Sequence, residues 1–509
     1  MEVDPMSDRP DCAAAFAAVA RRQPDHVALI DEGRNVTFGE LQDEIERRAA
    51  ALLGAGLRSG DRVALVAESS AEFLATALAV WRSRGVLVTI YPSSARDDLE
   101  YALDSSDPVL VVASQGVDHD LLVAASKGTP VASLESFAPV KVRGDTAPNP
   151  ADLREPLSLI CFSSGTTSRP KAIMLSARAV QNCADTYGEV WHFGPDDRGI
   201  VCLPMAWMYG LASTSLALLL SGATVIVVRR ARPELLLEAI ANGRATFLAG
   251  VTTTFTKLVH HLEDSSLDAD ALGSLRLCVS GGEPRNEDAF ERWRRLSGVP
   301  VFDAYCSSEC LPLVTYDPWI DSEPVAGAAG RLVPRARLKI VGRDGAEVPR
   351  GEVGEALSSG PGIMLGYWHD PDLTREVLTD DGWYRTRDLV RVDHEGYVYV
   401  VGRLSDVIIR SGVNISPAEV ERVVRLHPGV GEVAVLGLPD EIHGQRVVAA
   451  VVPRAMLDVS ELDQHVRGHL TGYKVPSEYV VVDSLPVNAT GKIDRRSLAA
   501  ALEQEGRER

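Results

Sequence analysis

The sequence predicts a mixed α/β protein built from a large body, residues 1–402, and a small α+β domain, residues 403–509. Three observations lead there. Helix-like and strand-like hydrophobic patterns alternate through the long N-terminal part, as expected of parallel strands joined by helical crossovers. The texture changes after Gly402, where a short helix and two apolar strands precede a further helix and an extended tail. The length of 509 residues also exceeds one hydrophobic core, since a domain takes roughly 100–200 residues.

The elements follow in order. Thr37-Phe38-Gly39-Glu40 fits a capping box, and Leu41, Ile45, Ala49, Leu52 and Leu53 then share one helical face. Gly60-Asp61 turns into the strand Val63–Val66, Phe73–Trp81 is helical, and Val86–Ile90 is a β-branched run ended by Pro92. Val109–Val112, Ala223–Val228, Leu275–Val279 and Val301–Tyr305 continue the strand series. In the small domain Pro417-Ala418-Glu419-Val420-Glu421 opens a helix, and Val433–Leu438 and Val447–Val452 are strands. No long linker separates the two parts, so a few residues near Gly402–Asp406 form the joint expected of a hinge.

Composition removes several classes of function. With 45% hydrophobic and 24% charged residues the chain is neither disordered nor fibrous. Fifty-two Lys plus Arg against seventy-one Asp plus Glu leave a net charge of −19, a field that repels nucleic acid phosphates and anionic lipid. The acidic start, with Glu2, Asp4, Asp8 and Asp11, has the wrong charge order for a secretory leader. Leu211–Val228 is interrupted by Ser213, Thr214, Ser215, Ser221, Gly222 and Thr224, so it reads as a buried helix followed by a strand, not a membrane span. Seven cysteines with no Cys-x-x-Cys pair argue against a disulfide framework or zinc site and place the chain in a reducing cytosol.

The strongest local signal is Ser163-Ser164-Gly165-Thr166-Thr167-Ser168-Arg169-Pro170-Lys171, directly after the apolar run Leu157–Phe162. Hydroxyls, glycine amides and one lysine suit phosphate oxygens. No Gly-Lys-Ser/Thr closes the stretch, so it is not a Walker A loop, and taken alone such a stretch is more often a solvated loop.

Its company gives it meaning. Gly281-Gly282-Glu283-Pro284, Tyr305-Cys306-Ser307-Ser308-Glu309, Gly382-Trp383-Tyr384-Arg385-Thr386-Arg387-Asp388, Gly402-Arg403-Leu404-Ser405-Asp406 with Ser411–Glu419, and Asn488-Ala489-Thr490-Gly491-Lys492 follow in the order and at the spacings of one family. From about Thr37 to Arg496 the chain resembles the adenylate-forming superfamily of acyl- and aryl-CoA synthetases, carrier-protein-loading adenylation domains and luciferases. That resemblance implies a multi-subdomain N-terminal adenylate-forming domain and a C-terminal domain that rotates about a hinge.

It also implies roles. Ser163, Ser164, Gly165, Thr166, Thr167 and Lys171 would cradle the phosphates of ATP, and Gly282, Glu283, Pro284 and Tyr305 would take the adenine. Asp388 would accept both ribose hydroxyls, and Arg403 would fork to ribose or phosphate. Ser308 would donate to the α-phosphate, and Glu309 is a hard oxygen ligand suited to Mg²⁺. Lys492 would bridge carboxylate and phosphate as charge moves between them. Trp207, Met208, Tyr209, Val251, Gly281 and Cys306 would line the acid pocket, Gly412 the path of CoA, and Ser405 would mark the hinge. Taken singly, Tyr305 reads better as a core tyrosine, Asp388 as a surface aspartate, and Arg403 and Lys492 as solvated cations; only together do they point to a site.

The implied reaction is attack of a carboxylate on the α-phosphorus of ATP, release of pyrophosphate, and transfer of the acyl group from AMP to the thiol of CoA. Four residues depart from the family pattern: Ser168 and Arg387 stand where glycine is usual, Ser405 where Lys or Asp marks the hinge, and Trp207 where acyl-CoA ligases often have His. No acid lies near Trp207 to pair with an α-ammonium, and the bulk of Trp207, Met208 and Tyr209 favours an aryl or short acid over an amino acid. Tyr473-Lys474-Val475-Pro476 resembles CoA-ligase members. Loading of a carrier protein, activation of an acid such as nitrite for attack by an aryl amine, and a non-catalytic nucleotide-binding relative are the alternatives.

Overall fold

The computed structural model describes residues 11–138, 140–144, 148–151, 153–163, 170–264, 272–411, 413–454, 456–487 and 493–508. They form two compact units, the first drawn from Met1–Ser163, Pro170–Leu338 and Ser358–Tyr384, the second from Lys339–Leu357 and Arg385–Arg509.

The first unit carries two sheets. In one, the order is Gly366–Tyr367, Ala172–Ser176, Leu157–Phe162, Val86–Ile90, Arg62–Val66, Leu110–Ala113, Val131–Ser133. The five strands from Leu157–Phe162 onward are parallel, while Ala172–Ser176 and Gly366–Tyr367 close one edge in antiparallel pairing. Parallel strands covered on both faces are apolar throughout, and Arg62–Val66 and Val86–Ile90 are buried at every position. Their helical neighbours form as the patterns predict. Thr37 caps Phe38–Gly54 in a complete capping box with Glu40, and Ala71–Arg82 starts at Ser70, whose hydroxyl accepts from the Phe73 N–H.

In the second sheet of this unit, Val301–Ser307, Leu277–Gly281, Phe247–Gly250, Arg198–Val201, Thr224–Val227 and Val27–Asp31 lie side by side in parallel. Cys310–Thr315 and Arg34–Thr37 add antiparallel strands at the two ends. The strand expected at Leu275–Val279 runs Leu277–Gly281, because Arg276 is drawn out of the strand to Asp197. That carboxylate receives Arg276 Nε and Nη2, each at 2.7 Å, Thr246 Oγ1 at 2.7 Å and the Gly194 N–H at 3.0 Å. One aspartate thus fastens the amino ends of three neighbouring strands. Burial alone would raise its pKa, but the Arg276 and Thr246 bonds outweigh that and hold it below the ordinary carboxylate range.

The segment Leu211–Val228 departs from a plain buried helix. Tyr209–Leu216 is a π-helix, followed by one α-helical turn at Ala217–Leu220 and the strand Thr224–Val227. Thr214 and Ser215 hydroxyls donate to the Gly210 carbonyl at 2.8 and 2.6 Å, and hydroxyls that compete for backbone carbonyls loosen a helical turn. Gly210 is required where it stands, since a Cβ would lie 2.3 Å from the Pro204 carbonyl oxygen.

The second unit holds most of the strands Arg337–Val341, Val353–Ser359, Tyr384–Val392 and Tyr397–Arg403, the last two antiparallel, together with a separate sheet. The latter is ordered Val413–Ile415, Ile408–Arg410, Gly444–Pro453, Val430–Asp440, with Glu478–Val481 also pairing alongside Gly444–Pro453. Helix Pro417–Arg425 packs on it, begun by Ser416 and Pro417. Its buried Glu421 accepts from the Val435 N–H at 2.8 Å and Arg495 Nη2 at 2.7 Å, so the charge is satisfied inside the domain. Among the described residues no helix is long and apolar enough to cross a membrane.

Candidate active site

In the first unit, the sheet edges bring four chemically active positions to one place. Ser163 and Lys171 end two antiparallel strands and bond to each other twice: the Ser163 N–H donates to the Lys171 carbonyl, and the Lys171 N–H to Ser163 Oγ, both at 2.9 Å. Ser164, Gly165, Thr166 and Thr167 lie between them, outside the described residues, as do Gly412 and Lys492.

Ser308 and Glu309 form the two-residue turn between Val301–Ser307 and Cys310–Thr315, where Ser307 pairs with Cys310. Tyr367, which the sequence reading did not single out, comes from the edge strand Gly366–Tyr367. Its hydroxyl donates to Glu309 Oε1 at 3.1 Å, and the Lys171 ammonium stands 5.3 Å from its ring centroid. Tyr384 is buried in the same region; burial and then the Glu309 carboxylate push its pKa well up. Beneath the turn, burial and then Glu309 push the Cys161 thiol up to about 12, making it inert.

Glu309 and Ser308 offer hard oxygens, and among the described residues no group of three or more His, Cys, Asp or Glu gathers to cage an ion. A cation here would complete its shell from nucleotide phosphates and water, which suits Mg²⁺.

The residues expected from the sequence to meet adenine and acid lie near the carboxyl ends of the parallel strands, where open α/β sheets bind ligands. Gly281 ends Leu277–Gly281, and Tyr209 packs against it so closely that a Cβ on Gly281 would lie 3.2 Å from the ring. The Tyr209 hydroxyl donates to the Gly250 carbonyl at 3.3 Å, and Val251 follows directly. Trp207 lies against Tyr91, ring centroids 4.9 Å apart, while Met208 is buried. Cys306 receives the Tyr187 hydroxyl at 3.6 Å. Tyr305, on the same strand as Cys306, is half-buried. Gly282 takes φ 83°, the left-handed conformation that glycine accepts without strain. Glu283 does structural work: its carboxylate accepts from the Thr253 N–H at 2.9 Å, and Thr252 Oγ1 donates to the Pro284 carbonyl at 2.8 Å, so the loop is strapped to helix Thr252–Asp264.

Within the second unit, Asp388 and Arg403 are directly opposed on paired strands. Arg387, which stands where the family resemblance predicts glycine, adopts φ 60°, a left-handed backbone that glycine accepts most readily. Ser405 is exposed in the short 3₁₀ turn Leu404–Asp406, its hydroxyl bonded to Asp406. Lys474 is engaged by Glu419 at 2.6 Å. Val487 and Ile493 form a bridge, and Asp494 N–H donates to the Pro486 carbonyl, which fixes the flanks of residues 488–492.

The family model of the AMP-binding enzyme matches residues 16–368. The chain belongs to the AMP-binding enzyme family. Residues 419–492 match the AMP-binding enzyme C-terminal domain. This AMP-binding enzyme is 34% identical over 481 residues to a feruloyl-CoA synthase of an Amycolatopsis species, covering 93% of this chain and 95% of that protein. Its structure is similar to ATP-bound MatB from Rhodopseudomonas palustris, with TM-score 0.87 and 30% identity over 96% of this chain and 99% of the other. The amide bond synthetase McbA from Marinactinospora thermotolerans aligns with TM-score 0.85 and 28% identity, over 96% and 99% of the two chains. The AMP-binding enzyme is thus an adenylate-forming ligase of the CoA-synthetase type.

Proposed function

We propose that this enzyme activates an aryl or short-chain carboxylic acid with ATP and Mg²⁺ and passes the acyl group to CoA. The meeting of Lys171, Ser308, Glu309 and Tyr367 at one point carries the first half: a cation for phosphate, a hydroxyl donor and a carboxylate for a metal stand together beside the phosphate-loop flanks. The acid carboxylate attacks the α-phosphorus while Ser308 and Lys171 stabilise the charge that gathers on the phosphate oxygens. Mg²⁺, held by Glu309, supplies further neutralisation when bound. Asp388 and Arg403 take the ribose, Tyr305 the adenine, and Lys492 bridges the reacting groups.

The feruloyl-CoA synthase relative supports an aryl acid and CoA as acceptor. Trp207 packed against Tyr91 at a tilt of 31° supports a shortened pocket walled by aromatic rings. In the proposed second half-reaction residues 403–509 turn about Ser405 and bring Gly412 to the thiol's path. An amine acceptor is the second reading, favoured by the likeness to an amide bond synthetase and by the departures at Trp207, Arg387 and Ser405.

A panel of acids including nitrite, scored by ATP–pyrophosphate exchange and then by product mass with CoA, a carrier protein or an amine, tests both readings. An aryl acid that exchanges and yields a thioester is expected. Gly412→Leu should then block the thioester and spare exchange. An adenylate consumed by amine and not by CoA overturns the CoA assignment.

A further inference from the structure

We infer that Tyr367 is a positioning residue that keeps Lys171 and Glu309 from neutralising each other and aims each at its own ligand. This rests on the proposed roles of Glu309 toward Mg²⁺ and Lys171 toward phosphate. An ammonium and a carboxylate sharing one small region attract strongly once water is thinned out. Left to collapse, the pair would cost the site both a phosphate ligand and a metal ligand.

Tyr367 stands between them with a different surface for each. Its hydroxyl engages Glu309 Oε1 at 3.1 Å, a charge-assisted bond that leaves the second carboxylate oxygen for a cation. Its ring offers a face to the Lys171 ammonium at 5.3 Å, a weak and non-directional hold that phosphate oxygens outcompete.

The tyrosine can serve this way because its own backbone is pinned. Tyr367 pairs with Ile173, two residues beyond Lys171, and its N–H donates to Thr374 Oγ1 at 2.9 Å. The same stretch grips Glu309 again, since the Met364 N–H donates to the Glu309 carbonyl at 2.9 Å. Gly366, at φ 139°, admits this approach: a Cβ there would sit 2.8 Å from Thr374 Cγ2. Lysine, tyrosine and glutamate therefore move as one piece.

The experiment measures melting temperature without acid, so that no turnover occurs, across ATP concentrations in EDTA and across Mg²⁺ concentrations at fixed ATP. Tyr367→Phe keeps the ring and removes the hydroxyl; Tyr367→Leu removes both; Glu309→Gln serves as reference. Tyr367→Phe should lower ligand-free melting somewhat through the lost bond and leave metal-free ATP binding unchanged, while raising the half-saturating Mg²⁺ about tenfold, the scale for partners that orient metal ligands. Tyr367→Leu should weaken metal-free ATP binding as well, through loss of Lys171. Added to Glu309→Gln, Tyr367→Phe should change nothing further. If Glu309→Gln shifts the Mg²⁺ midpoint and Tyr367→Phe does not, the inference fails while the role of Glu309 stands. If Tyr367→Phe weakens ATP equally in EDTA and in Mg²⁺, its role is merely structural and the inference also fails. A Glu309→Gln variant with the wild-type Mg²⁺ midpoint removes the metal assignment itself.

Discussion

Arg403 Nε lies 3.2 Å from Asp388 Oδ1, and the two residues are direct partners across the antiparallel strands Tyr384–Val392 and Tyr397–Arg403. Asp388 is buried while Arg403 is largely exposed. Asp388→Ala should weaken ATP by roughly 1.5–3 kcal/mol, the scale for hydrogen bonds to a charged group. Deoxyribose analogues of ATP should lose little further affinity in that variant. Undiminished discrimination between ATP and the analogues in a calorimetric titration would take Asp388 out of the ribose site.

Val487 and Ile493, the residues on either side of 488–492, form a bridge, and the proposed role of Lys492 within that stretch is testable. Lys492→Ala should slow pyrophosphate exchange by a factor on the order of 10²–10³, as when one preorganised charge stabiliser is removed. Its melting temperature should stay at the wild-type value. Exchange at the wild-type rate would end the assignment.

At φ 60° Arg387 occupies backbone space in which a side chain is strained. Arg387→Gly should stabilise the protein by up to about 1 kcal/mol, the relief of strain being partly offset by the greater freedom of glycine in the unfolded chain. Urea midpoints at constant slope provide the measurement. A lower midpoint for the variant would mean that the arginine contributes more than its backbone costs.

The Asp197 clamp makes a prediction in pH. Its pKa is lowered in the folded state, so the stability it contributes is fully present above the unfolded value near 3.9 and is lost as pH falls through the lower folded value. Asp197→Asn should cost about 2–4 kcal/mol at pH 7, because Arg276 loses its charged partner. That deficit should shrink steadily as pH drops below about 4. A deficit of the same size at pH 3 and pH 7 would show that hydrogen bonding, not charge, holds the strand ends.

Much of the fold was legible in the hydrophobic rhythm. Val63–Val66 and Val86–Ile90 are strands because continuous β-branched and apolar runs suit buried parallel sheet, and Thr37 begins a helix because its capping box is local. Boundaries shifted where a distant partner decides them, as Asp197 does for Arg276. Tyr367 escaped notice for the same reason: its partner Glu309 is 58 residues away, and a two-residue edge strand leaves no periodic trace. The motif around Glu283 left no sign that its carboxylate accepts from the Thr253 N–H, because that partner lies 30 residues earlier. The π-helix was invisible to a pattern that counts apolar positions, since Thr214 and Ser215 hydroxyls set it.

That π-helix, Tyr209–Leu216, has a genetic consequence. Its hydrogen bonds span one residue more than those of an α-helix, so loss of a single codon within it would let the segment relax to ordinary α-helical winding. Everything before the deletion would turn relative to everything after it, and the Tyr209 ring would leave its seat on Gly281. A one-codon deletion can therefore remodel the cavity beside that strand end in one step, a change that point substitution reaches only through several.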